Sequence, residues 1–414
     1  MTAILWLRRD LRIHDHPALE AARRHAEYLV PVFCFDDRLL HGRHASGPRT
    51  QFLIECLADL DRSLQARGSR LVVRHGRPET EIPKLAREIN ATEVHFTADV
   101  SAFARNRDRR CANALDVPVH THPGLFAIDD LDAIRTTAGK PYTMFTPFYR
   151  SWKRLPRRER HGAPRRLPPL PPQLDPGSLP TLADLRLTQE VEDPRCRGGE
   201  TDGRKVMRGA SRPLSPYLHL GCISPRELED VLPDTETGGA TRRQLCWRDF
   251  FAHVLLHHPR NARSEHQARH RGTIKWSRSR KRFDAWCEGR TGFPLVDAGM
   301  RQLRHEGFMD NRVRLVAGSF LTKDLGIDWR WGERWFMRLL LDGDQASNNG
   351  NWQWVASVGV DPAPVSRRIF NPERQQARFD PDGAYVRRYV TGADHPEPIV
   401  DHAKARREAL ERYR

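Results

Sequence analysis

Eight of the ten tryptophans fall between Trp247 and Trp354. The ordinary use of an indole is packing, because it buries a large area. Trp286, Trp331 and Trp335 are read that way. So high a density in one segment also suits a cofactor, a stacking platform or a path for electrons. The same segment carries nine Lys or Arg and one Glu across Arg260–Arg282. Cations interleaved with aromatics suit phosphate contact and base stacking. A solvated charged face is the competing reading. Downstream, the run LLLDGDQASNNGNWQWVASVGVDPAP carries Asp342, Asp344 and Asn348 close together. A carboxamide there is neutral and both donates and accepts, whereas a carboxylate repels an anionic ligand.

Other chemistries are argued against. The seven cysteines are scattered, odd in number and include no CxxC pair. No disulfide framework, zinc ribbon or other metal site is expected, and a reduced, cytoplasmic setting is. No GxGxxG follows the first apolar run, so a dinucleotide fingerprint is absent. Ligands can still bind at the carboxyl ends of parallel strands. No run of about 18 apolar residues occurs, so no membrane partner is expected. The start, MTAILWLRRDLR, lacks the order of a secretory signal.

The chain has 414 residues and a net charge of +16, with 69 Lys and Arg. That length suggests two or three domains. The charge favours a polyanionic partner, because basic surface gains counterion-release free energy on nucleic acid. Only eight of the 69 are lysine, so an arginine-rich composition without function is the alternative.

Three regions must position these residues. Over 1–125, apolar runs at Ala3–Leu7, Tyr28–Phe35, Arg70–Val73, Glu93–Phe96 and Val117–His120 alternate with helical periodicity, as in Thr50–Arg67. Such alternation predicts a parallel sheet covered on both faces, an α/β domain. Residues 126–200 read as a connector. Arg150–Arg166 has eight basic residues and one acidic, and Leu167–Pro180 has six prolines. Extended, poorly packed chain is predicted there. Residues 201–414 read as an all-helical domain.

Several segments resemble those of DNA photolyases and cryptochromes. They are LWLRRDLRIHDHPAL, PYTMFTPFYRSW, SPYLHLGCISPRE, CWRDFFAHVLLHHP, GRTGFPLVDAGMRQL, the DGDQASNN run and RRIFNPERQQARFDPDGAYVRRYV. The resemblance runs in order along nearly the whole chain. It implies a Rossmann-like antenna domain and a helical domain that holds FAD. It also implies repair of cyclobutane pyrimidine dimers in ultraviolet-damaged DNA by blue light, most like the bacterial enzymes, with a blue-light photoreceptor lacking repair as the alternative. An antenna chromophore, methenyltetrahydrofolate or 8-hydroxy-5-deazaflavin, is implied as a possibility. A monomer is expected.

By resemblance, Asn348 lies beside the flavin, where plant cryptochromes carry aspartate. Asp342 pairs with Arg314, Asp344 accepts from a ring N–H, and Gly343 separates them. Arg248 is assigned to the cofactor's phosphate region. Ser211, Leu214 and Ser215 match a phosphate-binding turn, here written ASRPLS. Trp276, Trp329 and Trp352 match a triad that passes an electron to the flavin. Trp247 and Trp354 match the walls of the lesion pocket, which receives a flipped dimer. Asn311, Arg312 and Arg367 match contacts to lesion or DNA.

The departures are specific. Gln244, assigned to both cofactor and lesion, stands where dimer photolyases carry glutamate, and Leu315 where they carry methionine. Weaker catalysis is expected, not another reaction class. The (6-4) enzymes need histidines at the places of Asn311 and Leu315, so that chemistry is not expected. Val365–Ser366 replaces an aromatic pair. Only TDGRKVMRGA separates Glu200 from Ser211, where relatives carry about two dozen more residues. A weaker hold on FAD is expected from that shortening.

Overall fold

The structure, a computed structural model, describes residues 1–196, 207, 213–391 and 396–414. Ser211 and the shortened segment before it lie outside the described residues, apart from Met207. Chain contacts define two compact units. One is Met1–Thr188 with Cys196–Pro259, and the other is Gln189–Arg195 with Arg260–Arg414.

In the first unit the apolar runs form a parallel sheet of β1 Thr2–Leu7, β2 Tyr28–Phe35, β3 Val72–His75, β4 Glu93–Thr97 and β5 Val119–His122. The order is β3-β2-β1-β4-β5. The interior strands β1 and β2 are buried along almost their whole length, as expected of parallel strands covered on both faces. The covering helices are α1 Pro17–Arg23, α2 Asp37–Leu40, α3 Gly47–Gln65, α4 Pro78–Glu88 and α5 Ala102–Asn113. Ser46 caps α3 by accepting from Arg49 N, and Pro48 follows in the first turn, where it forfeits no helical bond.

Two strands begin later than the sequence predicts. The Leu71 N–H donates to Asp61 Oδ1 at 2.8 Å, so Arg70 and Leu71 are pinned to α3 rather than to the sheet. Pro118 has no N–H, and its carbonyl accepts from Val94 N before β5 starts.

The connector corrects a larger expectation. It contains α6, Phe145–Arg154. Its proline-rich part is extended, with half-exposed chain tied to the sheet at a few points. Leu29 N donates to Pro169 O and Val73 N to Pro176 O, so the chain covers the free edge of the sheet. Leu170 and Leu174 pack on the sheet core. Three of the eight cations in the basic run nearby are engaged by carboxylates within the unit. Arg157 pairs with Glu229, Arg158 with Asp15 and Asp129, and Arg160 with Asp230. Helices α7 Leu214–Leu220, α8 Pro225–Val231 and α9 Glu236–His257 also belong to this unit.

The second unit is helical: α10 Arg280–Glu288, α11 Pro294–Glu306, α12 Asn311–Ser319, α13 Trp329–Leu339, α14 Gln345–Val355, α15 Pro372–Phe379, α16 Ala384–Tyr389 and α17 His402–Arg412. Gly289 and Gly307 end α10 and α11 at φ 65° and 62°, a left-handed cap that a side chain would strain. The core gathers Trp286, Trp329 and Trp352, with Trp276, Trp331, Trp335 and Trp354 packed against it.

After α12 the backbone widens into a π turn over Phe320–Asp324, with Leu325 N donating to Phe320 O. This turn buries Lys323 completely. Lys323 Nζ donates to Ala356 O at 2.8 Å and lies 3.8 Å from the Tyr413 ring centre. It makes no ion pair among the described residues. Burial first, then the charges of Arg368 and Arg412, hold the ammonium well below its ordinary value of 10.5. Between that depressed value and 10.5 the unfolded chain binds more protons than the folded one. Stability from this group is therefore full above the unfolded value and falls as pH drops. Lys323→Met removes that slope. It is expected to stabilise the fold by about 1–3 kcal/mol at neutral pH, read from urea unfolding at two pH values. Ala356 O stays satisfied, because Tyr413 Oη also donates to it.

Candidate functional site

Two helical stripes in the second unit face one open cleft, with about 510 Å³ of empty space counting that open to solvent. From α12 come Asn311, Arg314, Leu315 and Gly318. From Asp344 and α14 come Asp344, Ser347, Asn348, Asn351, Trp352 and Val355. Steps of three and four place each set on one side of its helix. Phe336, Leu340, Asp342 and Gly343 complete the lining. Eight residues predicted from sequence thus meet here: Asn311, Arg314, Leu315, Asp342, Gly343, Asp344, Asn348 and Trp352. Ser347, Asn351 and Phe336 were missed, although the helical period through Asn348 and Trp352 marks the first two.

Several of the polar groups are held. Arg314 Nη2 donates to Asp342 Oδ2 at 2.9 Å, and its Nε to Met309 O at 2.6 Å. Asp344 caps α14, with Oδ1 accepting from Ser347 N at 2.8 Å. Asn348 lies in the interior of α14, not at a cap. Its Nδ2 donates to Glu333 O at 3.0 Å. A carbonyl can only accept, so this bond fixes which way the amide points. The Asn348 carbonyl oxygen has no hydrogen-bond partner among the described residues and is left to the cavity. Arg314→Met is expected to cost about 1–2 kcal/mol in urea unfolding, by removing a charge-assisted bond from a nearly buried carboxylate.

Trp352 packs edge-on to Phe336 and Trp286, with ring centres 5.0 and 6.2 Å away. Trp329 is fully buried, and its Nε1 donates to Glu265 Oε1 at 3.4 Å. Trp276 meets the Tyr413 ring edge-on at 6.0 Å. The three share one core, but no ring pair joins any two of them among the described residues. Trp354 Nε1 donates to Asp361 Oδ2, and the Arg368 guanidinium covers its ring. Arg312 stands off the cavity stripe and lies over the Phe379 ring at 4.5 Å. Arg367 is exposed, as are all nine Lys and Arg of the 260–282 stretch.

The remaining predicted residues lie in the first unit. Gln244 is exposed on α9. One face of Trp247 is covered by Phe145, stacked at 3.6 Å and 2°. Arg248 donates to Leu125 O and Leu218 O. Leu214 and Ser215 form the first turn of α7, half-buried. Asp249 was missed. It is buried and accepts from Ala127 N, Ile128 N and Trp152 Nε1, fastening the connector and α6 to α9. Burial pushes its carboxyl up to about 6 against the opposing pull of Arg248 and Trp152. The unit also has an open cleft at the carboxyl ends of β4 and β5, with about 990 Å³ of empty space counting that open to solvent, lined by Ala98, Asp99, Arg105, Gly124, Phe126 and Asp129 among others. That is where open parallel sheets bind ligands.

No described helix is long and apolar enough to cross a membrane. Residues 3–172 match the family model for DNA photolyase, and residues 241–392 match the FAD binding domain of DNA photolyase. A deoxyribodipyrimidine photo-lyase from Streptomyces griseus is 38% identical, over 98% of this chain and 97% of its own. Cryptochrome DASH from Gloeobacter violaceus is 36% identical, over 97% and 93%. The crystal structure of a class III photolyase from Agrobacterium tumefaciens superposes with a TM-score of 0.86 at 32% identity, covering 100% of this chain and 97% of that one. Shared sequence, shared fold and an FAD-binding domain agree: the chain belongs to the DNA photolyase and cryptochrome family.

Proposed function

We propose that this protein uses light to split cyclobutane pyrimidine dimers in DNA, with FAD supplying the photochemical electron when bound. The observation that carries the reading is the Asn348 amide, fixed by Glu333 O so that a neutral acceptor faces the cavity. Such an acceptor fits a flavin ring donor without adding charge. Arg314 neutralises Asp342 beside it, which keeps the lining from repelling an anionic ligand. Asp344 is assigned the ring N–H by resemblance, with Gly343 between the two carboxylates.

Arg248, Gln244, Leu214 and Ser215 are proposed cofactor contacts on the same basis, and so is Ser211, outside the described residues. Trp352, Trp329 and Trp276 are proposed to relay an electron to the cofactor. Trp247, held flat by Phe145, and Trp354 are proposed to receive the flipped dimer, with Gln244, Asn311, Arg312, Leu315 and Arg367 as lesion or backbone contacts. The exposed basic stretch supports phosphate binding, which should weaken steeply with salt. The cavity at the ends of β4 and β5 supports a second chromophore, a folate or a deazaflavin.

A blue-light sensor without repair is the second reading, favoured by the similarity to cryptochrome DASH and by Gln244 and Leu315. The test is blue light on a thymine-dimer oligonucleotide under reducing conditions. Loss of the dimer in light and not in darkness supports repair. Bound flavin with an intact dimer overturns it and favours the sensor.

A further inference from the structure

Strands β4 and β5 run parallel with His95 opposite His120 and Thr97 opposite His122. Alternation along a strand puts Glu93 and His95 on one face, and likewise His120 and His122. Four metal-capable side chains, two from each strand, are thereby gathered at the edge of the sheet. None of them belongs to the cavities described above.

Their ligand atoms converge. Glu93 Oε2 lies 3.3 Å from His95 Nε2 and 3.6 Å from His120 Nε2. All three atoms fall within 4.8 Å of one another. A tetrahedral zinc site with bonds of about 2.0–2.1 Å needs ligand atoms roughly 3.3 Å apart. Two of the three separations come close to that, the third is within 4.8 Å, and the exposed His120 ring lies stacked on His95. His95 is buried, and its Nε2 has no hydrogen-bond partner. Although Glu93 Oε2 is near, it is not aligned to bond with it. The other nitrogen of His95, Nδ1, is 2.9 Å from His122 Nε2. With Nδ1–H donating to His122, the Nε2 lone pair faces the gap between Glu93 and His120. A second-shell partner that sets the tautomer of a liganding histidine is the usual arrangement at metal sites.

We propose that Glu93, His95 and His120 form a site for a zinc-like divalent cation, oriented by His122 and completed by water on the exposed side. Two imidazoles and a carboxylate suit Zn²⁺, Co²⁺ or Ni²⁺ rather than Mg²⁺ or Ca²⁺, which prefer all-oxygen shells. The ion would clip the short edge strand β5 to β4. Because it binds the folded state, it would raise the melting temperature.

The test is calorimetric titration of Zn²⁺ into the full-length, flavin-loaded protein after dialysis against chelator. The expected result is one Zn²⁺ per chain, weakened at least about tenfold in both His120→Ala and Glu93→Gln. His120 is exposed, and Glu93→Gln is nearly isosteric, so neither change threatens the fold. His25→Ala, at an exposed histidine elsewhere, should bind as the wild type does. Zn²⁺ should raise the melting temperature of the wild type and not of His120→Ala. No binding, or wild-type affinity in His120→Ala and Glu93→Gln, overturns the proposal.

Discussion

Asn348→Asp should lower light-driven loss of the dimer by about a hundredfold at pH 8, corresponding to roughly 3 kcal/mol. The wild-type amide gives its N–H to Glu333 O and keeps its own oxygen for the cavity. An ionised aspartate has no N–H to give. One of its oxygens would face the Glu333 carbonyl, which would lose its donor. The other would add a third carboxylate to a cavity that already holds Asp342 and Asp344. A nearly buried charge so placed shifts its own titration upward. A protonated acid could again donate to Glu333 O, so activity should recover as pH falls. Asn348→Ala adds no charge and should lose less, with little dependence on pH. If the aspartate variant repairs as well as the wild type at pH 8, the role assigned to Asn348 is wrong.

Gly332→Ala should destabilise the protein by about 2–3 kcal/mol in urea unfolding. By helix propensity alone, alanine in the middle of α13 would be the better residue by about 1 kcal/mol. Packing reverses the sign. A Cβ at Gly332 would lie 2.1 Å from Trp352 Cη2 and 2.6 Å from Leu321 Cδ2. Trp352 has little room to retreat in place, because Gly318 lies close on another side and Phe336 and Trp286 pack against it. The indole must therefore tilt, and photoreduction of bound flavin should slow with it. Gly239→Ala, in α9 with nothing within 4 Å, is the control and should be neutral or stabilising. Equal stability of Gly332→Ala and wild type would contradict the packing described here.

Much of this arrangement could be read from the residues. β2 is an uninterrupted apolar run, and its predicted limits, Tyr28–Phe35, are those observed. The cavity stripe from Asp344 to Trp352 follows helical period in a segment already conspicuous for its chemistry. What stayed hidden depends on contacts remote in sequence. Proline content predicts extended chain but says nothing of the sheet edge that Pro169 and Pro176 satisfy. A count of charges in the connector says nothing of Glu229 and Asp15, which engage Arg157 and Arg158. Lys323 is an unremarkable lysine until a π turn buries it. The Glu93, His95 and His120 group exists only through the register of β4 on β5.

The most direct test of the central claim is an action spectrum, the rate of dimer loss from a thymine-dimer oligonucleotide as a function of wavelength, set against the absorption of the bound flavin. Repair should follow the flavin bands, together with those of any second chromophore, and vanish in darkness. Dimer loss that ignores the flavin bands, or a flavin that absorbs while every dimer persists, would contradict it.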